Sequence, residues 1–327
     1  MASYSEYVKY FKSNMEFSVT TAIFVLLLLT LPFPFPVYAY RFLVIALMFA
    51  AMAISWNILG GYAGYLSFGH MSFFGVGAYT TAILITVYHY SPFLTVPLGA
   101  ILAAGVMLVA LYIFIRLEEA YFAIATLALN FALFYLALAL PQTNGSQGIF
   151  LPLISGSALD LNRLFFGITT LIVIGTVVVS HLIQKSKLGK ELLAMREDKP
   201  AAESLGVNTL RAKLEAGLIS AGATGLIGAI YPVYLTYIDP GTSFNIDWSI
   251  LLVVMVVFGG MGTLAGPIIG AFVFEATREL FTYFVPIPQL STVFIGGTLV
   301  ILLLVLPGGV YGTAKKRRIG GRKVGNP

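Results

Sequence analysis

Long apolar runs, separated by short polar or glycine-rich segments, account for most of this chain of 327 residues. A membrane-spanning helix needs about 20 mostly apolar residues to cross about 30 Å of hydrocarbon. The runs are continuous in Leu, Ile, Val and Ala, whereas strands of a membrane β-barrel alternate apolar and polar positions. Ten runs are candidate helical spans: 17–31, 41–59, 71–88, 93–115, 119–140, 164–184, 212–237, 247–260, 264–285 and 290–307. The pattern predicts an all-α, polytopic integral membrane protein with about ten transmembrane helices and glycine-rich helix breaks.

The composition agrees with a membrane protein and excludes several kinds of chemistry. Charged residues make up 10% of the chain and hydrophobic residues 58%, whereas a soluble domain carries about 25% charged residues. The chain has no cysteine and three scattered histidines. We therefore expect neither a disulfide framework nor a metal site.

The basic residues are concentrated in two segments. Of the 19 lysines and arginines, seven lie in residues 185–213 and six in the tail 311–327. Because Lys and Arg accumulate in cytoplasmic loops of membrane proteins, this clustering indicates orientation and not binding to nucleic acid. Six runs precede the first basic segment and four follow it, so both termini are predicted to be cytoplasmic.

These features divide the chain into three predicted parts. They are a cytoplasmic N-terminal segment 1–16, a single transmembrane domain 17–310 that contains the cytoplasmic loop 185–213, and the basic cytoplasmic tail 311–327. An alternative for the first run is a cleavable signal peptide, because VYA at 37–39 resembles a cleavage site. Sixteen residues precede that run, which favours a retained helix.

Two glycine-dense stretches, 60–79 and 259–271, each follow an apolar run and lead into the next one. Small residues at four-residue spacing allow close helix packing, whereas Gly-interrupted segments in two halves of a transporter indicate a substrate pathway. Packing with bending and direct substrate contact therefore remain alternative interpretations. The positions concerned are Gly60, Gly61, Gly64, Gly69, His70, Gly259, Gly260, Gly262, Thr263, Gly266 and Pro267.

Ionisable residues inside apolar runs are costly in a membrane and require a functional hypothesis. Glu275 lies three and four residues from Arg278 and Glu279, a spacing that brings side chains together on a helix. We expect an internal Arg–Glu pair or, as the alternative, a carboxylate that carries protons. His70 and Asn130 are expected to be buried and hydrogen-bonded.

The first basic segment contains the signals of a short helix. Asp198 is a capping residue, Pro200 suits a first turn, and Gly206 suits a helix end. These limits allow about two turns, and helices under about 12 residues are marginal alone in water. Leu205 and Val207 offer little apolar surface for a lipid anchor. We expect this helix to dock onto a soluble protein partner on the cytoplasmic side.

Nucleotide-binding and hydrolytic motifs are absent from the sequence. There is no G-x-x-x-x-G-K-[ST] loop to hold a nucleotide phosphate, and neither G-x-S-x-G nor H-E-x-x-H occurs. We therefore expect a chain that is not an enzyme. A membrane enzyme with a diffuse site is the less favoured alternative.

Six sequence blocks are similar to those of a known protein family. They are NILGGYAGYLSFGHMSFFGVGAYT (57–80), YFAIATLAL (121–129), TNGSQGI (143–149), MREDKPAAESLGVNTLRAKL (195–214), YLTYIDPGTSF (234–244) and GGMGTLAGPIIGA (259–271). Through these blocks and in their order, the chain resembles the LivM-type permease subunits of branched-chain amino acid ATP-binding-cassette importers. The resemblance covers roughly residues 40–310.

The resemblance implies a pore-forming subunit in an inner membrane, working by alternating access. Its implied partners are a second related permease subunit in a heterodimer, two cytoplasmic ATPase subunits and an external substrate-binding protein. ATP and Mg would be bound by the ATPases, with no cofactor in this chain. The short helix would be the coupling helix that seats in a groove of an ATPase. The implied contact residues are Arg196, Glu197, Asp198, Ala201, Ala202, Gly206 and Asn208.

Two alternatives to this function remain open. Members of the family resemble importers of urea and short amides too, so the substrate is not fixed by the resemblance. The competing class of protein is an ion-coupled transporter that works alone, with Glu275 as its proton site.

Overall fold

The computed structural model describes residues 17–27, 35–114, 116–284 and 297, and these residues are mostly helical. The helices are α1 (Phe17–Leu27), α2 (Val37–Asn57), α3 (His70–Thr86), α4 (Pro92–Phe114), α5 (Glu119–Ala139), α6 (Ala158–Lys185), α7 (Lys187–Glu197), α8 (Lys199–Ser204), α9 (Thr209–Leu235), α10 (Pro240–Ser243), α11 (Ile246–Gly260) and α12 (Gly266–Phe284).

Three kinds of short element complete the fold. A π-helical turn, Ile58–Tyr62, continues α2 without a break. Two 3₁₀ turns, Pro141–Thr143 and Gly145–Gln147, follow α5. Strands β1 (Ile149–Phe150) and β2 (Tyr237–Ile238) pair antiparallel and join the loop before α6 to the end of α9.

Within the part of the chain that the structure describes, six helical segments are long and apolar enough to cross a membrane, which supports an all-α membrane protein. They are Val37–Tyr62, Pro92–Phe114, Ala120–Ala139, Ala158–Lys185, Thr209–Leu235 and Pro240–Gly260. The predicted count of about ten spans is not supported, for reasons of length and charge. The described part of the first run is an 11-residue helix, α3 has 17 residues, and α12 carries three charged residues. The run 290–307, apart from residue 297, lies outside the described residues, as do the predicted segments 1–16 and 311–327.

Helix α2 occupies the centre of the bundle. In its most apolar stretch 83% of the residues are buried, against 28% in the corresponding stretches of α4 and α5. It contacts α6, α9, α11 and α12. Since no water competes inside a membrane, close packing and hydrogen bonds hold such helices together. The exposed apolar faces of α4 and α5 are suited to contact with lipid.

Buried hydroxyl groups fasten α2 to α9. The Ser55 hydroxyl donates to the Ser220 carbonyl oxygen at 2.8 Å, and the Ser220 hydroxyl donates to the Ser55 carbonyl oxygen at 2.7 Å. The His70 Nε2 lies 2.8 Å from the Ser220 Oγ, and its Nδ1 lies 3.2 Å from the Ser67 Oγ. Because the Ser220 hydrogen is already used, the arrangement assigns the His70 proton to Nε2. His70 is thus buried and hydrogen-bonded, as predicted.

Glycines bring the backbones of several helices into direct contact. A Cβ at Gly77 of α3 would overlap the carbonyl of Gly225 in α9, and one at Gly228 would overlap the carbonyl of Phe74. The α11–α12 pair uses the same device at Gly259 and Gly270, where a Cβ would meet backbone atoms of the opposite helix. These contacts supply the close packing that was one of the two interpretations of the glycine-dense stretches.

Replacing Gly77 by alanine tests this packing. We expect Gly77→Ala to destabilise the protein by about 1–3 kcal/mol, because the added methyl group forces α3 and α9 apart. The measurement is the thermal unfolding midpoint of the purified chain in detergent. Gly105→Ala in α4 is the matched control, because nothing lies within 4 Å of its Cβ position. Equal midpoints for the two variants would contradict the backbone contact.

Candidate functional site

The predicted short helix is present in the basic segment as α8. The Asp198 Oδ1 accepts a hydrogen bond from the backbone N–H of Ala201 at 3.0 Å, and Pro200 lies in the first turn. Gly206 adopts a φ of 84°, in the left-handed region that glycine enters without a steric penalty. Its N–H bonds to the Glu203 carbonyl oxygen at 2.9 Å. The sequence signals for the two ends of this helix are therefore confirmed.

Helix α8 is held by the start of α9. Asn208 caps α9 by accepting a hydrogen bond from the backbone N–H of Arg211 at 3.0 Å. The Thr209 hydroxyl donates to the Glu203 carboxylate at 2.6 Å, and Ala202 is buried. The chain's own helices thus stabilise a six-residue helix that would be marginal alone.

The outer face of α8 is open. Leu205 is 84% exposed. Of the residues implied by the resemblance, Ala202 is buried and Arg196 half-buried; the exposed ones are Glu197, Asp198, Ala201, Gly206 and Asn208. The segment therefore presents a small, preformed surface with one apolar side chain at its edge.

Arg196, at the end of α7, links this surface to the first glycine-dense stretch. Its Nη1 donates to the Gly61 carbonyl oxygen at 2.6 Å. Its side chain also lies against Gly64 and Gly262, where added Cβ atoms would approach it within 3.1 Å and 2.6 Å. Carbonyl groups in the last turn of a helix have no partner within the helix. The Arg196 guanidinium supplies one.

Asn57 links the first glycine-dense stretch to the second. Its Oδ1 accepts from the Gly262 N–H at 2.8 Å, and its Nδ2 donates to the Thr263 carbonyl oxygen at 2.9 Å. A Cβ at Gly61 would lie 2.9 Å from the Gly262 nitrogen. We call the set Asn57, Gly61, Arg196, Gly262 and Thr263 the glycine junction.

Thr263 starts the helix that leaves the junction. Its hydroxyl donates to the Gly260 carbonyl oxygen at 2.7 Å and accepts from the Gly266 N–H at 3.1 Å. The Thr263 hydroxyl therefore pairs with a backbone carbonyl at the end of α11 and with a backbone N–H at the beginning of α12. Pro267, with no N–H, occupies the second position of α12, where an N–H would be unpaired within the helix.

The remaining predicted glycines have packing contacts. Gly60 lies against the Trp56 ring. Gly69, which precedes α3, lies against Thr126 of α5. Gly259 and Gly266 face each other across the α11–α12 contact, and a Cβ at Gly266 would also meet the Gly260 carbonyl. Seven of the predicted positions thus gather around the junction or the adjoining α11–α12 contact: Gly61, Gly64, Gly259, Gly260, Gly262, Thr263 and Gly266.

Two residues of this region were not singled out by the sequence reasoning. Asn57 ends an apolar run, and nothing in the sequence shows that it faces a loop more than 200 residues away. Lys213 counts among the basic residues of the segment 185–213, yet it is 1% exposed. Its Nζ lies 3.9 Å and 4.0 Å from the ring centroids of Tyr65 and Phe122. Cation–π attraction is strongest for such a desolvated ammonium.

The ionisable residues of α12 form the predicted pair at the other end of the helix. Glu275 is fully buried, and its two oxygens accept from Arg278 Nε at 2.9 Å and from Arg278 Nη2 at 2.5 Å. Glu279 lies 3.6 Å from the same guanidinium and accepts a hydrogen bond from the Tyr38 hydroxyl. A two-point pair of this kind offsets the cost of burying a carboxylate.

Asn130 is buried and hydrogen-bonded, as predicted. Its Nδ2 donates to the Phe244 carbonyl oxygen at 2.8 Å, and its Oδ1 accepts from the Ser72 hydroxyl at 3.3 Å. It therefore joins α5 to α3 and to the turn before α11.

Comparison with known proteins gives consistent matches. Residues 38–303 match the family described as branched-chain amino acid transport system / permease component. The chain is 27% identical over 293 residues to the high-affinity branched-chain amino acid transport system permease protein LivM of Escherichia coli (strain K12), which covers 81% of this chain and 68% of that protein.

A similar degree of identity is found with an archaeal relative. The chain is 26% identical over 275 residues to the probable branched-chain amino acid transport permease protein LivH of Methanocaldococcus jannaschii, covering 77% of this chain and 84% of the relative. No solved structure matches the chain. The resemblance inferred from the sequence blocks is confirmed by these matches.

Removing the Asn57 amide tests the junction. We expect Asn57→Leu to destabilise the protein by about 1–3 kcal/mol for each group left unpaired, because the Gly262 N–H and the Thr263 carbonyl lose their side-chain partner. The measurement is the thermal unfolding midpoint in detergent. Gln142→Leu, at an exposed position, is the control for the same change of polarity. A midpoint for Asn57→Leu equal to that of the control would show that the loop does not depend on Asn57.

Proposed function

Because the chain belongs to the family of branched-chain amino acid transport system permease components, matched over residues 38–303, we propose that it is the pore-forming subunit of an ATP-binding-cassette importer. The transported molecules are branched-chain or similar amino acids. The family match is the observation that carries this proposal. The preformed, open surface of α8 supports it, because such a surface suits a partner chain that supplies the energy.

The proposed assembly contains several other chains. A second related permease completes a heterodimer, two cytoplasmic ATPases bind ATP and Mg, and an external binding protein delivers the substrate. This chain binds no cofactor of its own. The similarity to both LivM and LivH proteins supports a paired permease. The proposed location is a prokaryotic inner membrane, with about ten spans and both termini in the cytoplasm, as the basic segments indicate.

The proposed coupling starts at α8. An ATPase that closes on ATP moves the surface formed by Glu197, Asp198, Ala201, Gly206 and Asn208. Helix α7 follows because α8 is joined to it directly, and Arg196 transfers the movement to the glycine junction. The junction holds the end of α2 and the start of α12 together, so both helices tilt. Alternating access results when this tilt opens one end of the bundle and closes the other.

Urea or short amides are the second substrate class for the same importer. The self-contained proton-coupled transporter is not favoured, because both oxygens of Glu275 are engaged by Arg278. Reconstitution of the purified chain alone distinguishes the classes. Uptake of L-leucine into liposomes by this chain without ATPases would contradict the importer.

Changing the exposed leucine of α8 tests the partner surface. We expect Leu205→Asp to abolish co-purification of an ATPase in mild detergent, because the substitution places a carboxylate in the docking surface. Leu153→Asp is the matched control, because Leu153 is 83% exposed, against 84% for Leu205, and lies outside the α8 surface. Recovery of the ATPase with both variants would show that α8 is not the docking surface.

Truncating the arginine of the junction separates docking from coupling. We expect Arg196→Ala to retain the ATPase and yet to lower ATP-driven leucine uptake by about tenfold or more, because a charged hydrogen bond is worth about 1.5–3 kcal/mol. Arg211→Ala is the control, because this exposed arginine of the same segment pairs with Glu215 on its own helix. Normal uptake by Arg196→Ala would show that the glycine junction does not take part in coupling.

A further inference from the structure

A cavity of about 380 Å³ lies between α2, α9, α11 and α12, with Phe74 of α3 at its side. Small-molecule sites are usually cavities of about 300–1,000 Å³ with mostly apolar walls and a few polar groups. None of the glycine-stretch positions predicted for a pathway is among its lining residues. The cavity therefore adds a different set of side chains to the candidates for substrate contact.

The cavity is remote from the cytoplasmic coupling surface. It is lined along α2 from Tyr38 to Met52, a distance of about 20 Å at 1.5 Å per residue. The glycine junction begins beyond this stretch, at Asn57. On α9 the lining residues are Tyr231 and Leu235, in the last two turns. The cavity thus reaches from the end of the bundle opposite α8 to the middle of α2.

Five aromatic rings form its inner wall. Phe49 packs edge-on against Trp248 at 5.3 Å between ring centroids, and Phe74 packs edge-on against Tyr231 at 5.1 Å. Tyr231 and Trp248 meet at 6.1 Å, and Phe49 contacts Phe274 at 6.2 Å. Edge-to-face contacts of this kind fix ring positions. The wall is therefore a preformed apolar surface for a small aliphatic group.

Charged groups of both signs line the cavity. The cations are Arg41 and Arg278, and the anions are Glu275 and Glu279. Glu275 is fully buried against Arg278, so that pair neutralises itself. Arg41 is exposed at the first turns of α2, and Glu279 is held in place by the Tyr38 hydroxyl. Glu279 also lies 3.6 Å from the Arg278 guanidinium, so the two carboxylates share one cation, and the lining of the cavity keeps one further negative charge and the positive charge of Arg41.

We propose that this cavity binds a zwitterionic α-amino acid with an aliphatic side chain. The aromatic wall receives the side chain, the guanidinium of Arg41 receives the carboxylate, and Glu279 receives the ammonium group. Removal of the aliphatic group from water favours binding, and the two charged contacts set the orientation. This inference names the substrate site of the proposed importer and rests on that proposed function.

The absence of cysteine from the sequence makes a direct test possible. Met52→Cys places a thiol in the cavity, and Met107→Cys places one at a buried position that does not line it. Each variant is purified as the full chain, reconstituted in lipid nanodiscs, and labelled with a methanethiosulfonate reagent while L-leucine is titrated. At a leucine concentration of about ten times its dissociation constant, labelling of Met52→Cys is expected to be about tenfold slower. Labelling of Met107→Cys is expected to be independent of leucine.

Two analogues and one charge variant test the recognition of the zwitterion. 4-Methylpentanoate lacks the ammonium group and 3-methylbutylamine lacks the carboxylate, so neither is expected to protect Met52→Cys at the same concentration. Adding Arg41→Gln to Met52→Cys is expected to remove the protection by leucine. Equal protection by leucine and by both analogues would reduce the cavity to a nonspecific apolar site and overturn the proposal.

The remaining outcomes separate the site from the transport function. ATP-driven leucine uptake is measured in liposomes that contain the same variant with its co-purified partner chains. Uptake without any leucine protection of Met52→Cys would overturn the site and leave the importer standing. Protection without ATP-driven uptake would support the site and count against the importer. Failure of Met52→Cys to react with the reagent would show that water does not reach the cavity, and would also overturn the site.

Discussion

The side-chain amide of Asn57 is the interaction on which the arrangement of the bundle depends. Water does not reach the interior of a membrane, so each N–H and C=O freed by a helix break requires a protein partner. The break between α11 and α12 frees such groups at Gly262 and Thr263, and one amide satisfies both. Its acceptor and donor ends are fixed in direction. The position of α12 relative to α2, and of Arg196 beside them, follows from this contact.

The two regions with functional character occupy opposite ends of the same helices. Helix α2 and the π-helical turn that continues it run from Arg41 at the cavity to Gly61 at the junction, and α12 runs from the junction to the Glu275–Arg278 pair. No flexible connection is required between a movement of the α8 surface and the cavity wall. A tilt of either helix at one end displaces side chains at the other end, because an intact helix transmits rotation along its length.

How much was predictable depends on the distance between interacting residues. The ends of α8 and the Glu275–Arg278 pair were correctly predicted, because caps and three-residue spacings are local properties of the sequence. The partners of Asn57 and the burial of Lys213 were not, because they arise from contacts between distant segments. The count of about ten spans is not supported by the described residues, where six helices are long and apolar enough, because an apolar run shows where a helix can form but not how long it becomes. The cavity as a whole has no sequence signal, since its lining residues come from four helices and from Phe74 of a fifth.

The reciprocal hydrogen bonds of Ser55 and Ser220 restrict how the bundle can move. Each serine donates its hydroxyl to the backbone carbonyl of the other, at 2.8 Å and 2.7 Å. Sliding α2 along α9 by even one residue would break both bonds in a single step, at a cost of about 0.5–1.5 kcal/mol for each bond. The two bonds therefore oppose sliding of one helix along the other, and a conformational change that keeps both bonds moves α2 and α9 together.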